Sequence, residues 1–285
     1  MTSSAPSGSP PPRQAPSWTD LGPRVLSAAV IVAVAATGLY FGGYAFAVLA
    51  AVLFGLLYRE WEQMITLAPL GPFGFALIGL LAVAAILYPL LGVLGIIALI
   101  ALAALLATFG DRAVLGWRVG GLVFFGAVLI AAMTMRGAGP AGIAAGWYLG
   151  IVIALNDSGA YFAGRLLGGP KLVPAISPAK TWSGAIGGWI TGIVAGTIFW
   201  LIFVHSPLWI GVLLAALLGL VGQAGDITES AVKRVFRIKD SGDIIPGHGG
   251  FMDRLDSVSF GVLLLFVVGA LHGGIGNVAG GFLYW

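Results

Sequence analysis

The chain has 285 residues, of which 59% are hydrophobic and only 9% charged, with a mean hydropathy of +1.02. Soluble globular domains carry about 25% charged residues, so this balance excludes one, and it equally excludes a disordered or fibrous chain. Zero cysteines exclude disulfides, thiolate metal sites and a cysteine nucleophile, and a formal net charge of +3 on so apolar a chain gives no sign of nucleic-acid binding; the first partner it implies is a lipid bilayer.

Residues 1–20 are rich in Pro and Ser and cannot bury enough surface to fold alone, which predicts a disordered tail. Ala33-Val34-Ala35 resembles a cleavage site, but the apolar run continues to Phe41, so the run is read as an uncleaved first span. A spanning helix needs about 17–25 apolar residues. Nine candidates follow, at about 25–41, 43–58, 73–89, 91–109, 119–135, 143–163, 184–204, 208–224 and 257–275. With the N-terminus inside, the inner segments (1–24, 59–72, 110–118, 164–183 and 225–256) hold 13 of the 14 basic residues, and only Arg136 falls outside. Lys/Arg bias sets orientation. The expectation is therefore an all-α polytopic membrane bundle of about nine transmembrane helices with a cytoplasmic N-terminus. Residues 21–142 read as a scaffold of about five spans. Residues 143–285 read as the working region, since 226–256 alone hold 11 of the 25 charges.

The first polar feature of the working region is Asn156-Asp157, late in the sixth candidate span, which suits either an interhelical clamp or a site. Ser177-Pro178-Ala179-Lys180-Thr181-Trp182 then leads into the seventh span. Ser177, Lys180 and Thr181 at a helix N-terminus would seat a phosphate; the glycines of a Walker loop are missing. Gly184, Gly188, Gly192 and Gly196 form a small-residue stripe, expected to pack against another helix or a second subunit. Asp226, Glu229, Lys233 and Arg237 share one helical face, and by themselves suit a solvated helix with a Glu229–Lys233 pair. Gly247-His248-Gly249-Gly250 is a turn whose amides can approach an anion, and Asp253 and Asp256 follow, three apart. His205 and His272 lie near outer boundaries and read as interfacial. Carboxylates gathered at the edge of apolar spans are costly and usually functional, and oxygen-only donors suit a hard cation such as Mg2+. The residues alone thus imply a metal-dependent phosphate enzyme. A cation-coupled transporter is the alternative from another class.

Ser230-Ala231-Val232-Lys233-Arg234, Lys239-Asp240 and Pro246-Gly247-His248-Gly249-Gly250-Phe251-Met252-Asp253-Arg254-Leu255-Asp256 together resemble the motif of the phosphatidate cytidylyltransferase (CDP-diacylglycerol synthase) family. Asn156-Asp157 through Tyr161, Gly164-Arg165 and Ser177 to Trp182 resemble its upstream motifs, so the resemblance covers roughly 150–260. It implies that CTP and phosphatidate give CDP-diacylglycerol and pyrophosphate with Mg2+, at the inner (cytoplasmic) face of a bacterial-type membrane. It leaves open a second, monovalent cation such as K+, a homodimer, and another lipid-linked nucleotidyl or phosphoryl transferase. On this reading Asp226, Asp253 and Asp256 hold metal, with Asp157 a further ligand. Lys180, Lys233 and Arg234 join the three aspartates in the catalytic set. Ser177, Thr181, Asn156, Lys239, His248, Gly249, Gly250 and Arg254 contact substrate alongside Lys180. Ser183 stands where the family usually has Glu.

Overall fold

The computed structural model describes residues 21–137, 139–242 and 250–285. Eight long helices carry the chain: α1 (Leu21–Phe41), α2 (Gly43–Thr66), α3 (Pro72–Ala107), α4 (Leu115–Arg136), α5 (Pro140–Leu167), α6 (Trp182–Phe203), α7 (Leu208–Val235) and α8 (Met252–Gly273). A two-stranded antiparallel hairpin, β1 (Lys171–Val173) and β2 (Ser177–Thr181), sits between α5 and α6. A 3-10 turn (Ile275–Asn277) and a short α9 (Val278–Leu283) follow α8. Six of these helices (α2, α3, α4, α6, α7 and α8) are long and apolar enough to cross a membrane. The protein is an all-α polytopic membrane bundle with one small hairpin.

The nine expected spans map onto eight long helices because α3 contains two of them. At about 1.5 Å per residue a straight α3 would be about 54 Å long, far more than the roughly 30 Å of a bilayer core. Gly92 breaks it with φ 62° and ψ −160°, a backbone conformation that glycine adopts freely. The chain then returns: a Cβ added at Gly110, just beyond α3, would lie 2.9 Å from the ring of Phe73 at its beginning. The chain therefore alternates between two ends of the bundle.

These ends differ in chemistry. At one end the α1–α2 turn meets the end of α4, where Arg136 donates to the carbonyls of Leu39 (2.5 Å) and Tyr40 (3.2 Å). His272 stacks on Trp285 there (centroids 4.0 Å apart), and buried α9 folds back against Gly269 and Gly273. His205 is exposed beside it. The opposite end gathers Glu60, Glu62, Arg118, the hairpin and the charged stretches of α7 and α8. Trp61 donates to the Trp117 carbonyl (3.1 Å), the Trp117 ring meets Phe236, and Arg234 donates to the Ile176 carbonyl (3.1 Å).

The glycine stripe resolves as packing inside the bundle. Gly184, Gly188, Gly192 and Gly196 are all buried. A Cβ at Gly188 would sit 2.5 Å from the Asn156 carbonyl oxygen, and one at Gly184 would sit 2.9 Å from that of Ala160. Without side chains, α6 presses directly onto α5. Two expectations about local structure need correction. Ser177 and Lys180 lie on β2, not at a helix N-terminus, because the chain reaches α6 extended and only Thr181 caps it. The last long helix begins at Met252 rather than 257, since its first turns are too charged to look apolar in sequence.

Candidate active site

The charged end contains two kinds of carboxylate. The first kind is on α2, whose buried stripe (Ala47, Ala50, Ala51, Phe54, Leu57, Tyr58) continues into Glu60 and Glu62. Glu62 accepts two bonds from Arg118 Nε (3.0 and 3.1 Å) and one from Nη2, and both side chains are about 5% exposed or less. Glu60 is fully buried and accepts from the Phe251 and Met252 amides (2.8 and 2.7 Å) and from Ser241 Oγ (3.0 Å). These acids are matched by fixed donors.

The second kind is on α5, α7 and α8. An open cavity of about 240 Å³ is lined by Asp226, Glu229, Asp240, Asp253 and Asp256 against Lys233 and Arg254, a formal balance of −3 (two positive, five negative). Helical spacing brings Asp226, Glu229 and Lys233 to one face of α7, and α8 packs its first turns against that face. Lys233 donates to Asp253 and pairs with Glu229 (3.3 Å), while Ser241 N donates to Asp253 (3.4 Å). Asp256 accepts from Ser257 N (2.6 Å). Glu229 Oε1 is buried and has the Lys233 ammonium at 3.3 Å as its ion-pair partner.

A larger cavity of about 400 Å³ adjoins through Asp226. Asn156, Asp157, Tyr161, Arg165, Lys180 and Gln223 are among its walls. Lys180 reaches from β2 to pair with Asp226 at 2.5 Å. Asp157 and Asp256 both feel the charge of Asp226, and Asp157 also that of Asp256, so acids from three helices converge. Gln223 Nε2 donates to Asn156 Oδ1 (3.1 Å) and the Ala185 carbonyl (2.9 Å), and Asn156 donates to Asp157 (3.4 Å). The Asn156-Asp157 pair is thus an interhelical clamp and part of the cavity wall together. On the other side of Asp256 and Glu229 lies an apolar crevice of about 140 Å³, walled by Leu57, Trp61, Phe124, Phe125 and Phe260.

Of the expected site residues, Asn156, Asp157, Lys180, Thr181, Asp226, Lys233, Asp253, Arg254 and Asp256 line these two charged cavities. Thr181 uses its hydroxyl to cap α6, accepting from Gly184 N (3.1 Å). Arg234 is occupied by the Ile176 and Ile238 carbonyls (3.1 and 2.9 Å), clamping the hairpin to the end of α7. Ser177 and Lys239 line neither cavity. Gly250 is described and buried, packed against Ser241, whereas His248 and Gly249 lie outside the described residues. Ser183 donates to the Gly168 carbonyl, joining the end of α5 to the start of α6. Glu60, Gln223 and Arg165 were missed as site residues. Arg165 falls in the Gly164-Arg165 motif without a role assigned to it, and the sequence signal for Glu60 and Gln223 is polarity next to apolar runs.

Whether these donors suit a divalent cation can be tested on the chain itself. Five acids against two cations around one open cavity, with no Cys or His among the described lining residues, match the oxygen preference of Mg2+. As the side chains stand, Lys180 and Lys233 hold Asp226 and Asp253, and among the described residues no three acids are drawn together tightly enough to hold an ion unaided. Magnesium sites commonly take one or two carboxylates and fill the remainder with water and substrate phosphate. The donor set fits such a cation.

Comparison with known proteins places the chain in a family. A model of the cytidylyltransferase family matches residues 22–272. A phosphatidate cytidylyltransferase of Brucella suis biovar 1 is 46% identical over 157 residues, covering 55% of this chain and 58% of that protein. One from Bacillus subtilis is 48% identical over 126 residues, covering 44% and 47%. The chain spans about half the length of the curated relatives it matches.

Proposed function

Because this chain belongs to the cytidylyltransferase family, we propose that it transfers the cytidylyl group of CTP to phosphatidate, giving CDP-diacylglycerol and pyrophosphate. The observation that carries this reading is the surplus of acids where α5, α7 and α8 converge, set between a nucleotide-sized cavity and an apolar crevice. An oxygen of the phosphatidate phosphate attacks the α-phosphorus of CTP, the bond to the β-phosphate oxygen breaks, and pyrophosphate leaves with that oxygen. The nucleophile is already an oxyanion, so no strong base is needed. The difficulty is to bring two polyanions together, and position and positive charge do most of that work in phosphoryl transfer.

A net-negative cavity would repel both substrates, so it needs cations. Asp226, Asp253 and Asp256, with Asp157 and Glu229 beside them, would hold Mg2+. When bound, the ion neutralises phosphate oxygens and the leaving pyrophosphate. Lys180 stands at the junction of the cavities and exchanges its Asp226 contact for a CTP phosphate, while Arg165 lines the larger cavity and Arg254 the smaller. Lys233 holds Asp253 in place. The crevice walled by Trp61, Phe124 and Phe260 would take the acyl chain next to the lipid headgroup, so phosphatidate arrives from the bilayer and CTP from water. The charged end faces the cytoplasm on this reading, which the Lys/Arg bias of the loops supports.

The test is an assay of purified protein with phosphatidate, each of the four nucleoside triphosphates and a divalent-metal series. CDP-diacylglycerol and pyrophosphate should form from CTP only in the presence of a divalent ion. Release of a nucleoside diphosphate, or cation flux in proteoliposomes without CTP consumption, would contradict the reading.

A further inference from the structure

We propose that Glu60, from the N-terminal half of the chain, is a positioning residue for this reaction: it caps α8 from outside and so sets where Asp253 and Asp256 stand. The N-terminus of a helix exposes amides with no intrahelical acceptor, and α8 has no cap of its own, since Phe251 at the N-cap offers no side-chain acceptor. Glu60 supplies both oxygens instead. Oε1 accepts from Phe251 N at 2.8 Å and Oε2 from Met252 N at 2.7 Å. The next residue is Asp253, and Asp256 lies one turn on.

The same carboxylate also holds the other side of the loop. Ser241 Oγ donates to Oε2 at 3.0 Å, and a Cβ at Gly250 would lie 1.8 Å from that hydroxyl. The chain that leaves the end of α7 near Ser241 therefore comes back to the same point at Phe251. Ser241 N in turn donates to Asp253. Glu60 is fully buried, Ser241, Phe251 and Met252 meet it as neutral donors, and it faces the positive end of the α8 dipole. Glu62, two residues on, has Arg118 on α4 as its partner. One turn of α2 thus presents two buried acids with different tasks.

This inference rests on Asp253 and Asp256 as cation-holding residues, so its test includes readouts that need no turnover. E60Q keeps the size of the side chain but turns an amide NH2 toward a donor; E60A removes both acceptors, and E62Q is the control. Hydrogen exchange at the amides of residues 251–253 should rise in E60Q and E60A and stay near wild type in E62Q. The manganese concentration for half-saturation of the purified protein, and the divalent midpoint of the reaction, should rise by about 10- to 100-fold, as when outer-sphere partners of metal ligands are lost. The KM for CTP at saturating metal should change less. A variant that merely melts lower, with wild-type exchange at 251–253 and a wild-type manganese midpoint in its folded fraction, would overturn the inference. If E60A does not fold, the isosteric E60Q decides. Absence of CDP-diacylglycerol from the wild-type protein would instead overturn the reaction assigned above, and exchange and manganese binding would still decide the role of Glu60.

Discussion

The carboxylates on α2 and those shared by α5, α7 and α8 sit at the same end of one bundle, yet they are treated in opposite ways. Glu62 is held by a guanidinium fork and Glu60 by backbone amides, both in dry surroundings with their oxygens satisfied. Asp157, Asp226, Glu229 and Asp256 crowd one another beside open cavities; lysines on flexible stems meet Asp226 and Glu229, while Asp157 and Asp256 each accept from a neighbouring neutral donor, Asn156 and the Ser257 amide. Burying a matched ion pair is tolerated, whereas leaving one partner alone is heavily penalised. Gathering unmatched acids therefore makes sense only where something else arrives to match them. On the proposed function, the difference separates acids that hold the fold in place from acids left to meet a ligand.

Mutation can break or sharpen that contrast. The largest effect should come from splitting the matched pair: Arg118→Met or Glu62→Gln should cost about 3–5 kcal/mol of stability by leaving a buried charge alone, read as a lowered unfolding midpoint in detergent with turnover per folded molecule retained. Asp256→Asn should do the reverse. Its kcat should fall on the order of 10²–10³-fold, the worth of several kcal/mol of charge stabilisation, while the unfolding midpoint stays level or rises because a like charge has gone. A drop in both quantities for either variant would erase the distinction. Lys180→Met should raise the KM for CTP by about 10- to 100-fold, the worth of one charge-assisted hydrogen bond, with the phosphatidate KM moving less. The smallest effect tests the packing that sets Asn156 and Asp157 in place. Gly188→Ala pushes a methyl to within 2.5 Å of the Asn156 carbonyl and should cost about 1–3 kcal/mol, with a modest loss of rate that thermal unfolding and steady-state kinetics can separate.

Much of this architecture is legible in the sequence. Apolar runs broken at Gly42-Gly43 and Pro89 mark the turns, the second three residues before the bend at Gly92, and the confinement of basic residues to alternate loops marks the two ends. The acids at 226, 253 and 256 stand out because charge beside a membrane span is rare. What the sequence hides is partnership. Glu60 and Glu62 look like ordinary loop-edge charges until the fold carries Arg118 and the α8 amides to them from 56 and about 190 residues away. Gln223 appears as one more polar residue until it reaches Asn156. The hairpin at 171–181 was invisible because three- and five-residue strands carry no period, and α9 because its glycines read as a tail. Arg234 shows the converse: its charge suggested a phosphate contact, and the fold uses it to tie two carbonyls.

The central claim is that the unmatched acids exist to hold a divalent cation, and direct binding tests it without substrates. Manganese titrated into purified protein and followed by electron paramagnetic resonance should show a saturable site that Asp256→Asn abolishes and Glu62→Gln leaves in place. Equal binding by the wild-type and Asp256→Asn proteins, both folded, would contradict the account.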